Sequence, residues 1–216
     1  MLADKSQVDA FIDLFHQGTH LHYTKGEYIV RPGESPTNVF YIEKGLVKAF
    51  DISKYGEENL LIIRKSHEIF PLISAITGSE RDIIYQAMNG VAVWRITLER
   101  YLSAIHQNAT LLPPLLDMVT EMYRIHSERI INLEYRTVRE RTISFLLSMA
   151  QRFGVTNNQG VLIDVPLRHQ DIASSINASR ETTSRELSRL EREGLIKNTQ
   201  QSIIVTDLKK LQTILS

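Results

Sequence analysis

The spacing of apolar positions changes several times along the chain, and each change predicts a different element. In residues 6–17, Val8, Phe11, Ile12 and Phe15 share one side, as in a short amphipathic helix. From about 19 to 100 the apolar residues gather into short runs. These are Tyr28-Ile29-Val30, Val39-Phe40-Tyr41-Ile42, Leu46-Val47-Lys48-Ala49-Phe50, Leu60-Leu61-Ile62-Ile63 and Val91-Ala92-Val93-Trp94-Arg95-Ile96. Turn residues separate them at Lys25-Gly26-Glu27, Arg31-Pro32-Gly33-Glu34, Glu43-Lys44-Gly45 and Lys54-Tyr55-Gly56. Regularly spaced short strands predict a small antiparallel barrel or double-sheet roll.

Beyond residue 97 the period is helical. Thr97 is placed to cap a helix with Arg100 at its third position. Pro113-Pro114 opens a long helix predicted from Leu115 to about Arg136. Its apolar positions are Leu115, Val119, Met122, Ile125 or His126, Arg129 or Ile130, and Leu133. A helix of about 22 residues spans roughly 33 Å. Such a helix is expected to pair with a second copy as a coiled coil, the alternative being that it packs on its own barrel. Thr137 interrupts the pattern. Val138 to Phe153, apolar at Ile143, Phe145, Leu146, Leu147 and Met149, forms the next predicted helix. The expected division is a roll over 1–110, a dimerisation helix over 111–137 and a third region over 138–216.

Residues 167–205 carry the most specific pattern. Ile172, Ala173 and Ile176 lie on one face of a short helix, Asn177-Ala178-Ser179 breaks it, and Ser179 is a good N-cap for a second helix from Arg180 to about Glu193. The apolar side of that helix is thin, with Leu187, Leu190 and then Leu195, and Gly194 stands at a C-cap glycine position. Leu195-Ile196-Lys197 and Ile203-Ile204-Val205 read as two strands of a wing. This is the layout of a winged helix-turn-helix, whose second helix meets base edges with its N-terminal residues. Arg180, Glu181 and Arg185 sit there. Arginine suits the guanine O6/N7 pair, and glutamate accepts from cytosine N4. Ser179, Thr182 and Ser184 supply hydroxyls for phosphates. The plainer reading is a solvated charged face with pairs at i,i+4, such as Glu181 with Arg185 and Arg189 with Glu193.

Composition narrows the class. The 216 residues include no cysteine, which excludes disulfides, cysteine-ligated iron–sulfur clusters and thiol catalysis, and fits a cytoplasmic protein. No apolar run is long enough to span a bilayer, and the N-terminus lacks the basic-then-apolar order of a signal peptide. Net charge is zero but unevenly placed. From residue 138 on there are 11 basic and 8 acidic residues, against 14 and 17 before it. That modest excess permits phosphate contact without by itself pointing to it.

Strand roll, long helix and C-terminal winged helix-turn-helix, in this order and length, resemble the CRP/FNR family of bacterial transcription regulators over essentially the whole chain. The α+β fold expected is an N-terminal antiparallel β-roll of the cyclic-nucleotide-binding kind, a dimerisation helix and a DNA-binding domain. The strongest residues are Ser179-Arg180-Glu181-Thr182 with Arg185, then Asn132-Leu133 through Arg141 with Leu146-Leu147, then the roll turns quoted above. The resemblance implies a regulator rather than an enzyme: a homodimer on a palindromic operator, with double-stranded DNA, itself and RNA polymerase as partners and no membrane. Arg180, Glu181 and Arg185 match the cyclic-AMP receptor type, which implies a TGTGA-like half-site. His169 and Gln170 fall where family members touch the backbone. The seam of the dimer helix is expected at Val119, Met122, His126, Ile130 and Leu133.

The effector site departs from the cyclic-nucleotide pattern. There a Gly-Glu pair and a following Arg-Ser/Thr pair hold the ribose and phosphate. Here Pro71 replaces the glycine, Leu72 the glutamate and Asp82 the Ser/Thr, while Arg81 is retained. A proline donates no amide, a leucine cannot bond a ribose and an aspartate repels a phosphate. Arg81, His126 and Ser127 are the remaining pocket candidates, although Arg81 has Glu80 and Asp82 as ready partners. Cyclic AMP is not expected to be required, and no cofactor is assigned. Haem would need an axial ligand such as His67 or His126. A reading from another class is a cupin-like metal enzyme using His20, His22 and Glu27, since two histidines on one strand face with a carboxylate suit iron or manganese; the second cupin motif is absent. A regulator that needs no effector is a further alternative.

Overall fold

The computed structural model describes residues 1–34, 37–78, 82–199 and 202–215. These form two compact units, Met1–Tyr123 and Arg124–Ser216, with one long helix running through the boundary. The expected α+β architecture of roll, long helix and winged helix-turn-helix is the observed one.

The first unit opens with α1 (Lys5–His16), capped by Asp4, whose carboxylate accepts from the Gln7 amide while the Gln7 side chain accepts from the Asp4 amide. Eight strands follow: β1 (Thr19–Tyr23), β2 (Tyr28–Val30), β3 (Asn38–Lys44), β4 (Val47–Ile52), β5 (Glu58–Arg64), β6 (Ile69–Phe70), β7 (Ile84–Ala87) and β8 (Val91–Thr97). They make two four-stranded antiparallel sheets, ordered β1-β8-β3-β6 and β2-β7-β4-β5. Phe70 joins the two, stacking on Phe40 at 5.2 Å and on Tyr85 at 4.7 Å between ring centroids. The turn between β3 and β4 needs glycine: Gly45 has φ +101°, and a Cβ there would meet the Gly90 carbonyl at 2.5 Å. The short helix α2 (Leu72–Thr77), strand β7 and strand β6 escape a reading by periodicity because two to six residues contain too few repeats of either period.

Helix α3 (Leu98–Gln107) is capped by Thr97, as its sequence predicts. Helix α4 (Leu112–Tyr135) starts three residues before the predicted Leu115. Pro113 and Pro114 lie inside its first turn, where the missing amides would have had no intrahelical acceptor. Along α4, Leu112, Leu116, Tyr123 and Ile130 are about half or more exposed. Val119, His126 and Leu133 alternate with them and are half-buried. The spacing is four, three, four, three, the repeat of a coiled-coil seam. Met122 departs from the expected seam: it is buried in the first unit, and its sulfur accepts from Arg64 Nη2 at 3.2 Å.

The second unit continues with α5 (Val138–Phe153), whose N-cap Thr137 and Glu140 form a capping box. Then come β9 (Gly154–Asn157), β10 (Gly160–Ile163), α6 (His169–Ser175), α7 (Arg180–Arg192), β11 (Ile196–Asn198), β12 (Ile203–Val205) and α8 (Leu208–Leu215). The wing hairpin β11-β12 belongs to a four-stranded sheet, β11-β12-β10-β9, of which the sequence reading anticipated half. Ile143, Leu146, Ile172, Ala173, Leu187, Leu190 and Leu211 are fully buried and make one core beneath the helix-turn-helix. Among the described residues, no helix is long and apolar enough to cross a membrane.

Candidate nucleic-acid interface

The turn between α6 and α7 is built from two local conflicts with helix continuation. Asn177 takes a left-handed conformation at φ +50°, and the Ala178 amide donates back to the Ala173 carbonyl at 3.0 Å, closing α6 in the manner of a Schellman motif. Asparagine is among the few side chains that enter this region at modest cost. Ser179 then caps α7, its Oγ accepting from the Thr182 amide at 3.1 Å. At the far end Gly194 has φ +70°, its amide donates to Glu191 O, and the Leu195 amide donates to Leu190 O, a second Schellman closure. Helix length is thereby set at both ends by side chains visible in the sequence.

The helix is then divided by burial. Thr183, Leu187 and Leu190 face the core. Arg180, Glu181 and Arg185 are exposed at the N-terminal half. Among the described residues Glu181 and Arg185 have no ion pair within 4.0 Å, so the i,i+4 reading holds here only as a longer-range attraction. The Glu181 carboxyl is held below its usual range chiefly by its own backbone amide, then by Ser179, Arg180 and Arg185, and so is an ionised acceptor. Arg185 Nη2 donates to Thr182 Oγ1 at 3.2 Å, which also accepts from Ser179 Oγ at 3.0 Å. Ser184 Oγ lies 2.8 Å from His169 Nδ1 and ties α7 to the first turn of α6, while Gln170 is exposed beside it.

The C-terminal half of α7 is committed differently. Arg189 Nε donates to Glu193 Oε1 at 3.1 Å, as the plainer reading expected. Glu193 also receives Arg139 Nη2 at 2.6 Å, and Glu186 lies 3.7 Å from Arg139 Nη1. Arg139, on α5, was not singled out from the sequence, because a contact 54 residues away leaves no local signal. The pair Arg168–Asp171 was also missed: the buried Asp171 carboxylate accepts from the Arg168 amide at 2.8 Å and from its guanidinium at 2.8 and 3.0 Å. Its i,i+3 spacing at a helix start was the available signal.

In the roll, Pro71 is the N-cap of α2 and Leu72 is 1% exposed within the core, while Asp82 is exposed. Arg81 lies outside the described residues. His126 and Ser127 are half-buried on α4. His67 Nδ1 lies 2.6 Å from the Tyr41 hydroxyl, whose pKa is pushed up to about 12, first by burial and then by Glu43. The phenol therefore stays protonated, and the imidazole tautomer sets which of the two groups donates. His20 pairs with Glu43 at 2.9 Å and stacks on Trp94 at 4.4 Å, whereas Glu27 accepts from the Thr24 amide. Among the described residues no group of three histidines or carboxylates could hold a metal ion, so the metal-enzyme arrangement of His20, His22 and Glu27 is not formed.

Comparison with known proteins agrees with the fold. Family models of the cyclic nucleotide-binding domain and of the Crp-like helix-turn-helix domain match residues 20–108 and 140–214. The global nitrogen regulator of Synechococcus elongatus is 28% identical over 176 residues, covering 81% of this chain and 79% of the relative. The cAMP-activated global transcriptional regulator CRP of Salmonella typhimurium is 26% identical over 208 residues, covering 95% and 98%. Among solved structures, FixK2 from Bradyrhizobium japonicum superposes with a TM-score of 0.80 at 21% identity, covering 92% of this chain and 98% of that one. A CooA variant from Carboxydothermus hydrogenoformans gives a TM-score of 0.80 at 18% identity, covering 100% and 98%. The Synechococcus and Salmonella relatives are regulators, not enzymes. With a cyclic-nucleotide-binding-type roll and a Crp-like helix-turn-helix joined by one long helix, the chain belongs to the CRP/FNR family of DNA-binding transcription regulators.

Proposed function

We propose that the chain acts as a homodimer on a palindromic, TGTGA-like operator and does so without cyclic AMP. The observation that carries the reading is the division of α7. Arg180, Glu181 and Arg185 stand exposed at its N-terminal half, while Arg189, Glu186 and Glu193 are engaged with one another or with Arg139. An N-terminal set of two arginines and an ionised glutamate is chemically suited to guanine and cytosine edges. Ser179, Thr182, Ser184, His169 and Gln170 surround it with groups that suit phosphate oxygens. The seam from Leu112 through Leu116, Val119, Tyr123, His126 and Ile130 to Leu133 supports pairing with a second copy. A two-fold pair then presents two α7 helices to half-sites about one helical turn of DNA apart.

Independence from cyclic AMP is supported by Pro71 and Leu72. The proline has no amide to give, and the leucine is enclosed in the roll core and cannot reach a ribose. A cAMP-gated regulator is the second reading, favoured by the match of residues 20–108 to the cyclic nucleotide-binding family and by the cAMP-activated relative. Contact with RNA polymerase is expected of such a regulator when it activates from an operator. The test is fluorescence anisotropy with a labelled TGTGA palindrome at stated salt, with and without cyclic AMP. Tight binding without nucleotide is the expected result. Binding only when cyclic AMP is added refutes independence, and equal affinity for scrambled DNA refutes the operator assignment.

A further inference from the structure

The second unit contains an open groove of about 750 Å³ in which no part of the proposed DNA-reading set takes part. Its walls are the last turns of α4, the outer face of α5, strands β9 and β10, and α8. The size falls in the usual range for small-molecule pockets, about 300–1,000 Å³. Its lining is of two kinds. Ile131, Leu147, Val161 and Leu208 form an apolar floor, and Ile131 is 52% exposed. At the α4 end stand Arg136, Asn132 and Ser144.

Those three polar residues are already arranged as a donor site. Asn132 Oδ1 accepts from Arg136 Nη1 at 2.8 Å, and Asn132 Nδ2 donates to Ser144 Oγ at 2.8 Å. The Ser144 hydroxyl hydrogen is thereby left to point elsewhere. Arg136 has no carboxylate within ion-pair distance among the described residues. Glu140 feels its charge but is held on Thr137, and Glu128, which also lines the groove, is paired with Arg124 at 2.7 Å. A half-buried guanidinium fixed at one nitrogen, with a hydroxyl beside it and an apolar floor beyond, has the chemistry of a carboxylate-plus-hydrocarbon receptor.

The groove and the α4 seam lie mostly on different sides of the helix: at 100° per residue Glu128 and Asn132 are about 160° around the axis from Ile130, while Arg136, three positions after Leu133, is about 60° from that residue and borders the seam's last turn. We propose that this groove binds a small amphipathic monocarboxylate, with the acid on Arg136 and Ser144 and the apolar body over Leu147, Val161 and Leu208. Such a ligand would brace the end of α4 against α5 and α8 at the junction where α5 begins. It would offer the protein a second input besides the roll.

The test uses the full-length protein without DNA, so its outcome does not depend on the operator reading. Decanoate is the probe, titrated calorimetrically and followed by methyl NMR. Decanol and inorganic phosphate supply the body and the charge separately. Decanoate is expected to bind with a submillimolar Kd, decanol and phosphate at least tenfold more weakly. Arg136→Gln, whose unfolding midpoint should match the parent, is expected to lose tenfold or more. Ser148→Phe, which fills the groove from α5, is expected to abolish binding. Absence of decanoate binding at 1 mM, as when a second copy covers the groove, overturns the proposal. So does binding that Arg136→Gln and Ser148→Phe leave unchanged, which would mean that the acid sits elsewhere.

Discussion

Replacing Arg185 by alanine should weaken sequence reading while leaving the fold intact, and replacing Arg189 should leave sequence reading unchanged. Arg185 is exposed and donates a 3.2 Å hydrogen bond to Thr182. Loss of an exposed side chain with one such bond changes stability by no more than about 0.5 kcal/mol. A bidentate guanine contact is worth about 1–3 kcal/mol of discrimination, or roughly 5- to 150-fold in Kd per half-site. On a palindrome read by two protomers the loss doubles to about 2–6 kcal/mol if the sites are additive. Arg189 is held by Glu193, which Arg139 also holds at 2.6 Å, so its removal leaves operator discrimination unchanged. The assay is competition anisotropy, operator against random duplex, across a salt series for parent, Arg185→Ala and Arg189→Ala. A lost base contact lowers the operator-to-random ratio with little change in salt slope, whereas a lost phosphate contact lowers both affinities together and the slope by about 1. An unchanged ratio in Arg185→Ala, or an equal fall in both variants, would refute the division of α7 into a reading half and a tethered half.

Other consequences concern the dimer, the core and acid stability. A glutamate at Val119 or Tyr123 should shift the protein toward monomer in sedimentation equilibrium; persistence as a dimer at low micromolar concentration rejects the seam. Met122→Glu should instead damage the first unit, because Met122 is 8% exposed and in contact with Arg64, and thermal unfolding would show it. Leu187→Ala, at a position with no exposure, should cost about 2–5 kcal/mol in urea unfolding. The Glu193 carboxyl is lowered below its ordinary value of 4.5, first by Arg139, so its contribution to stability is present above that value and fades as pH falls through the folded-state pKa. The pH dependence of the unfolding midpoint below pH 5 should therefore be shallower in Glu193→Gln than in the parent.

Much of this protein follows from features local to the chain. The caps Asp4, Thr97, Thr137 and Ser179, the glycine at 194 and the asparagine at 177 each satisfy or stop a helix through groups within a few residues, so helix ends are legible without a tertiary context. The same holds for the run of roll strands and for the exposed arginines and glutamate of α7. Tertiary structure alone decided which apolar face of α4 is used inside the chain. Met122 and Tyr123 are adjacent and equally apolar in the pattern, yet one is buried against Arg64 and the other is 73% exposed. It alone decided which charged residues of α7 are free, because Arg139 reaches Glu193 across 54 residues. It also paired β9 and β10 with the wing and opened the groove beside Arg136. Capping and turn energies act between near neighbours in sequence, whereas burial and ion pairing depend on which distant surface arrives, and that is fixed only when the whole core has packed.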